Sequence, residues 1–161
     1  MTGYRVVVEK DYLKFSAAHF IAYKGFREPM HGHNYQVSVA LSGKVGPDGY
    51  VLDFGIVKRV TKAVCDELDE RVIVPARSDC VTVAQEGPSL VLVYEDGARF
   101  LFPAADCVLL PIVHASAEEL AEYVLSRLRE GLGAHAMRGL TEIEVGVSEA
   151  PGQVAYCRAE L

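Results

Sequence analysis

Hydrophobic and polar positions alternate along most of the chain and give way twice to a helical period. Residues 4–20 read as one long strand, with Val6, Val8, Tyr12 and Phe15 facing inward and a bulge near Asp11. Residues 21–29 read as a loop. Alternation is strictest at 35–41, where Tyr35, Val37, Val39 and Leu41 share one face and Gln36, Ser38 and Ala40 the other. Gly46-Pro47-Asp48-Gly49 predicts a turn, with 50–53 as the returning strand of a hairpin. From about 54 to 71, Ile56, Val57, Val60, Ala63, Val64 and Leu68 follow the 3.6-residue period of an amphipathic helix lying on a sheet.

Between 79 and 110 short β-prone runs return, and Asp96-Gly97 between two of them is a hairpin signal. Ser116 followed by Glu119 forms a capping-box pattern, after which Leu120, Val124 and Leu128 carry an apolar stripe that Gly131 and Gly133 bring to a stop. Ile143, Val145 and Val147 then face inward on a strand at 141–148, and 153–161 is the last strand. The pattern is strand-strand-helix twice with a hairpin between the halves. It predicts an α+β domain: an antiparallel β-sheet with two helices on one face.

Composition narrows what such a domain does. A chain of 161 residues suits one domain over 1–161, with the extra β-hairpin at about 79–104. Net charge is −6 and no Lys/Arg cluster stands out, so no nucleic acid is expected as partner. No apolar run approaches the roughly 20 residues of a membrane span, and charges interrupt the N-terminal segment at once, so the expected location is cytoplasmic, with no membrane contact. Cys65, Cys80, Cys107 and Cys157 form no C-x-x-C pair and read as reduced thiols.

The candidate chemistry lies in Phe15-Ser16-Ala17-Ala18-His19 and Met30-His31-Gly32-His33-Asn34-Tyr35, which hold three of the five histidines. On a strand, His31 and His33 project to the same face, and His19 at the end of a neighbouring strand closes a three-nitrogen site. Three protein ligands with a fourth position open is the usual arrangement of catalytic zinc. Spacing alone is equally met by histidines on an ordinary polar face or in a satisfied core.

The residues around them resemble the 6-pyruvoyl-tetrahydropterin synthase and 6-carboxy-tetrahydropterin synthase family. The likeness continues through Val51-Leu52-Asp53-Phe54-Gly55 before the first helix, Leu68-Asp69, Pro111-Ile112 with Ala115-Ser116-Ala117-Glu118 before the second, and Val147-Ser148-Glu149. That resemblance implies the tunnelling fold (T-fold), whose subunits close their sheets into a barrel by oligomerising, as a homo-oligomer and usually a hexamer. It implies Zn2+ on His19, His31 and His33, and a pterin substrate. Glu149 matches the pterin-binding glutamate, and Ser116 and Glu118 match the segment beside it. Helix capping and the helix dipole explain those last two equally.

The proton-transfer positions depart from the family pattern. Family synthases use a cysteine upstream of His-Gly-His and an Asp-His pair; here no cysteine lies between His19 and His31, and Glu70 follows Asp69. Glu28, three residues before His31, fits the glutamate of a side-chain-cleaving subgroup, with pairing to Arg27 or Lys24 as its ordinary alternative. His114 is a candidate proton shuttle, oriented by Asp69 or Glu70, and Lys24 and Arg27 are candidate triphosphate contacts. The expectation is a zinc-dependent lyase acting on dihydroneopterin triphosphate or a related pterin, including cleavage to 6-hydroxymethyl-dihydropterin. The alternatives are a zinc- and pterin-binding homologue without synthase activity, or a 6-carboxy-tetrahydropterin synthase.

Overall fold

The computed structural model describes residues 2–161, the side chain of His135 excepted. Its strands are β1 (Tyr4–His19), β2 (Ala22–Tyr23), β3 (Phe26–Arg27), β4 (His31–Gly43), β5 (Arg71–Pro75), β6 (Val81–Glu86), β7 (Ser89–Tyr94), β8 (Arg99–Pro103), β9 (Cys107–Leu110), β10 (Leu140–Ala150) and β11 (Gln153–Glu160). Helix α1 spans Phe54–Leu68 and α2 Ala117–Ala136. Six strands form the main sheet in the order β11-β10-β4-β1-β5-β9. The first four are antiparallel to their neighbours, whereas β5 joins β1 and β9 joins β5 in parallel. Both helices pack on one face, α1 against β1 and α2 against β10 and β11, touching each other between. The expected α+β layer is therefore present, with a parallel edge that local patterning does not report.

The main core is the inward face of β1, β4 and β10. Tyr35, Val37, Val39, Leu41, Ile143, Val145 and Val147 are all buried, as their alternation predicts, under Leu120, Val124 and Leu128 of α2. Two inward assignments shift. Between Glu9 and Lys14 the β1–β4 register slips, so the inward parity flips and Leu13 is buried while Tyr12 stands exposed. On α1, Thr61 and Cys65 are buried and Ala63 is exposed. Thr61 tolerates burial because its hydroxyl donates to the Val57 carbonyl at 2.8 Å.

Three further segments differ from the sequence reading. Residues 50–53 form no strand; β4 instead finds both its partners in β1 and β10. The 21–29 loop contains the small β2–β3 hairpin. Helix α2 continues past Gly131 to Ala136, and Gly133 interrupts it by taking a left-handed φ of 70°. Residues 81–103 form a separate three-stranded sheet, β6-β7-β8, whose last turn carries Gly97 at φ 89°. It has its own hydrophobic cluster, which includes Phe20 and Ala22 from beyond the end of β1.

Candidate functional site

The metal-ligand candidates continue the core face beyond the reach of the helices. Along β1, Leu13, Phe15, Ala17 and His19 point inward; along β4, His31, His33, Tyr35 and Val37 do. The register sets Phe15 opposite Tyr35, Ala17 opposite His33 and His19 opposite His31. Phe15 and Tyr35 stack with ring centroids 4.7 Å apart, and the small side chain of Ala17 leaves room above it for the imidazole of His33. The same alternation that buries valines deeper in the sheet thus gathers three imidazoles at its end. Gly32 sits between two of them, and a Cβ there would meet the Ala17 carbonyl oxygen at 3.0 Å.

One ring nitrogen from each of His19, His31 and His33 lies within 4.8 Å of the others, an arrangement that could hold a metal ion. Two of the rings are oriented from behind. His19 Nδ1 donates to the Ala115 carbonyl at 2.6 Å and His31 Nδ1 to the Pro29 carbonyl at 2.9 Å. Each bond fixes the tautomer that leaves the Nε2 lone pair free, as a metal ligand requires. His19 Nε2 is buried and makes no hydrogen bond, which is costly unless something else occupies that lone pair. Burial lowers the His19 pKa below the ordinary imidazole value, with His31 and His33 acting the same way and Ala115 and Glu149 opposing. The ring is held neutral, the form that binds metal. These donors fit a borderline-soft divalent ion.

Two carboxylates bear on the same spot. The hydroxyl of Tyr35 is buried and lacks a hydrogen bond of normal geometry. Its ionisation is pushed far up by burial, then by Glu149, and further by Glu28. Glu149, near the end of β10, also lines an open cleft of about 950 Å³ together with Gly32, His33, Asn34 and Gln36. Glu28 is half-buried: its Oε2 accepts the Ile21 N–H at 2.9 Å, and its own N–H donates to the Ile21 carbonyl at 3.0 Å.

The remaining candidates take several different places. Asp69 Oδ1 accepts the Ser16 N–H at 2.7 Å, and the Glu70 N–H donates to the Ser16 carbonyl at 2.7 Å, so this pair anchors β1 at Ser16, shortly before His19. Glu70 has a φ of 57°, the left-handed region, and lines a smaller cleft with Ala17, Gly32 and His33. His114 is hydrogen-bonded to neither of them. Its Nδ1 donates to Glu119 Oε1 at 2.9 Å, and Glu119 also accepts the Val113 and His114 N–H groups at 2.7 and 3.1 Å. Ser116 Oγ caps α2 by accepting the Glu119 N–H at 3.3 Å, while Glu118 and Lys24 are exposed. Arg27 lies over the rings of Phe100, Phe20 and Tyr94, with centroid distances of 5.1, 5.9 and 6.0 Å.

Sequence reasoning passes over Glu119. Its capping-box position is visible, but its carboxylate turns back to lock residues 113–114, immediately before the Ala115 carbonyl that orients His19. Burial raises the Glu119 pKa, and the His114 side chain together with the two backbone donors more than reverses this, leaving it below the ordinary carboxylate range. Tyr35 reads from its pattern as a core residue only; no local signal announces that its hydroxyl feels the charges of Glu149 and Glu28.

The model of the 6-pyruvoyl tetrahydropterin synthase family matches residues 8–160. The chain is 35% identical over 150 residues to a Methanocaldococcus jannaschii protein provisionally named 6-carboxy-5,6,7,8-tetrahydropterin synthase, covering 92% of this chain and 91% of that one. The solved 6-pyruvoyl tetrahydropterin synthase of Plasmodium vivax superposes with a TM-score of 0.97 at 39% identity over the whole of both chains. Two further structures of that enzyme replace a glutamate, named as a catalytic residue, with alanine or cysteine. A shorter match, 39% over 57 residues, covers 35% of this chain and 48% of the dihydroneopterin monophosphate aldolase of Pyrococcus furiosus. The fold and site define a pterin-synthase-like T-fold protein. This chain belongs to the 6-pyruvoyl tetrahydropterin synthase family.

Proposed function

We propose that the protein is a zinc-dependent lyase that acts on the side chain of dihydroneopterin triphosphate or a close relative, with Glu28 as general base. The observation that carries this reading is the convergence of three imidazole nitrogens within 4.8 Å of one another beside Tyr35, whose hydroxyl feels the charges of both Glu149 and Glu28. Glu149 is the pterin anchor in this reading: a carboxylate facing the 2-amino and N3 groups of a pterin accepts two parallel hydrogen bonds and fixes the ring. His19, His31 and His33 would hold the metal, which supplies Lewis-acid polarisation of side-chain hydroxyls. Glu28 takes up a proton from the hydroxyl on the second side-chain carbon. The bond between the first and second carbons then breaks, its electron pair passes into the ring C=N, and a proton returns to the first carbon. The products are 6-hydroxymethyl-dihydropterin and a two-carbon aldehyde that retains the triphosphate, so atoms and charge balance.

The Plasmodium enzyme, whose named catalytic residue is a glutamate, supports a carboxylate in this role, and the partial match to an aldolase supports carbon–carbon cleavage. The absence of a cysteine between His19 and His31 removes the thiolate that would otherwise be the first choice. Ser116, Glu118 and Lys24 are assigned to the substrate's periphery, and His114, Asp69 and Glu70 to proton traffic. Both edge strands, β9 and β11, are open, with Leu109, Val154 and Tyr156 exposed on them. Such edges favour closure by further copies of the chain, which we propose as a hexameric barrel. The four cysteines are free thiols, in keeping with a reducing cytoplasm, and no helix among the described residues is long and apolar enough to cross a membrane.

The test is incubation of the zinc-loaded protein with dihydroneopterin triphosphate and identification of products by mass spectrometry. A 6-hydroxymethyl product is expected. A 6-carboxy or 6-pyruvoyl product would replace this reading with the activity named for the corresponding relatives, and recovery of unchanged substrate would leave a pterin-binding homologue.

A further inference from the structure

The three-stranded sheet β6–β8 does not build its hydrophobic cluster alone. Cys80, Val81, Leu90, Leu92 and Tyr94 enclose Phe20 and Ala22 from the start of the Glu28 segment, and Met30 packs on the cluster from its end. The segment is thus rooted in this second core on both sides of Glu28. Polar contacts tie down its tip: the Tyr94 hydroxyl donates to the Tyr23 carbonyl at 3.0 Å, and the Gly25 N–H donates to Glu95 Oε1 at 2.7 Å.

Arg27 joins the two parts. Its guanidinium lies 5.1 Å from the Phe100 ring centre, while Phe100 stacks on Phe20 at 4.8 Å. Its Nη1 donates to the Glu28 carbonyl at 2.9 Å. A cation held between aromatic faces gains more as water is excluded, and Arg27 Nε is buried without a hydrogen-bond partner. The peptide of Glu28 is therefore gripped from one side by Arg27 and from the other by Ile21, which leaves its side chain little positional freedom.

We propose that β6–β8 is the seat of the Glu28 loop and that Arg27, held on Phe100 and Tyr94, is the positioning residue that fixes the Glu28 carboxylate relative to the three histidines. The catalytic half of this inference rests on the reading of Glu28 as general base; the seating half does not. A misplacement of a reacting group by an ångström is enough to lower turnover about 100-fold, so a base that follows a hairpin with two residues in each strand needs such a support.

The experiment compares Arg27→Met, Arg27→Lys and Phe100→Leu in the zinc-loaded full chain. Amide hydrogen exchange is read alongside kcat and KM for dihydroneopterin triphosphate. Peptides covering residues 20–30 are expected to exchange about ten-fold faster in Arg27→Met and Phe100→Leu, with peptides of β4 and β10 and the zinc affinity unchanged. kcat is expected to fall about ten-fold or more at little cost in KM, with partial recovery in Arg27→Lys. Should Arg27→Met fail to fold, the milder Phe100→Leu carries the same test. Unchanged exchange over 20–30 in the folded variants overturns the proposal. Faster exchange with unchanged kcat upholds the seating and overturns Arg27 as the positioning residue, whereas unchanged kcat in Glu28→Gln removes Glu28 itself from proton transfer.

Discussion

The two hydrophobic clusters of this protein position different halves of its candidate chemistry. The larger one, under α1 and α2, ends in the three histidines, whose places follow from the register of two long strands, 16 and 13 residues in length. The smaller one, built by β6–β8, holds the segment with Glu28, whose place depends on a hairpin with only two residues in each strand. Strand register is cooperative and hard to shift by one residue without reversing every side chain. A short hairpin has no such protection and takes its geometry from what it leans on. The candidate metal half is thus specified by the fold and the proposed proton-transfer half by a local support.

That contrast can be broken most severely at the ligands. His33→Ala is expected to weaken zinc binding by well over ~100-fold, beyond what loss of an outer contact costs, and to abolish turnover. Competition against a chromogenic chelator measures it, and near-normal affinity would mean the triad is not the metal site. Next in size, Glu28→Gln should lower kcat by about 10²–10⁴-fold while leaving zinc content intact, since it removes a proton acceptor and nothing else. Equal loss of zinc would erase the division between the halves.

Glu119→Ala sharpens the comparison from the metal side. With residues 113–114 released, the Ala115 carbonyl no longer orients His19 firmly, and zinc affinity should fall about ten-fold, with Glu119→Gln closer to wild type. Exchange in the 20–30 segment should stay as it was. The smallest effect is expected at Glu144, a buried carboxylate on β10 that bonds Arg158 and Arg5. Hydrogen bonds from Arg158, opposed by burial and aided by Arg5, hold its pKa below the ordinary range. A depressed carboxylate contributes stability that is present above its unfolded value, about 4.3, and is lost as pH falls through the folded one. The urea midpoint of Glu144→Gln should therefore lie below wild type at pH 7 and converge on it in acid. A gap that stays constant down to pH ~2 would mean that the charge is not what matters there.

Much of the metal half is legible in the amino-acid sequence, because alternation is a local property that long strands express over many residues. Tyr35, Val37, Val39 and Leu41 need only a period of two, and the same period carries back to His33 and His31. Pattern reading fails where chain neighbours stop predicting spatial ones. The bulge after Glu9 turns Leu13 inward in place of Tyr12, and residues 50–53 lose their expected pairing because β4 finds both partners elsewhere. Arg27 reads as a loop cation and candidate triphosphate contact, since nothing near it in sequence shows that Phe100 is waiting more than seventy residues on. Glu28 stands out through the family resemblance, yet its support comes from the part of the chain that reads as an extra hairpin.

The parallel edge of the main sheet bears on how such a protein changes over generations. Val72 pairs with Cys107 and Pro75 with Leu110, so the excursion that contains β6–β8 leaves β5 after Pro75 and returns opposite Val72, with both its ends on neighbouring strands at one edge of the sheet. It behaves as a cassette: its length and contents can be revised without altering the register of any strand that carries a histidine. Exchange of that cassette alone would re-aim Glu28 over an unaltered set of histidines, giving a lineage a route to a changed reaction on the same framework.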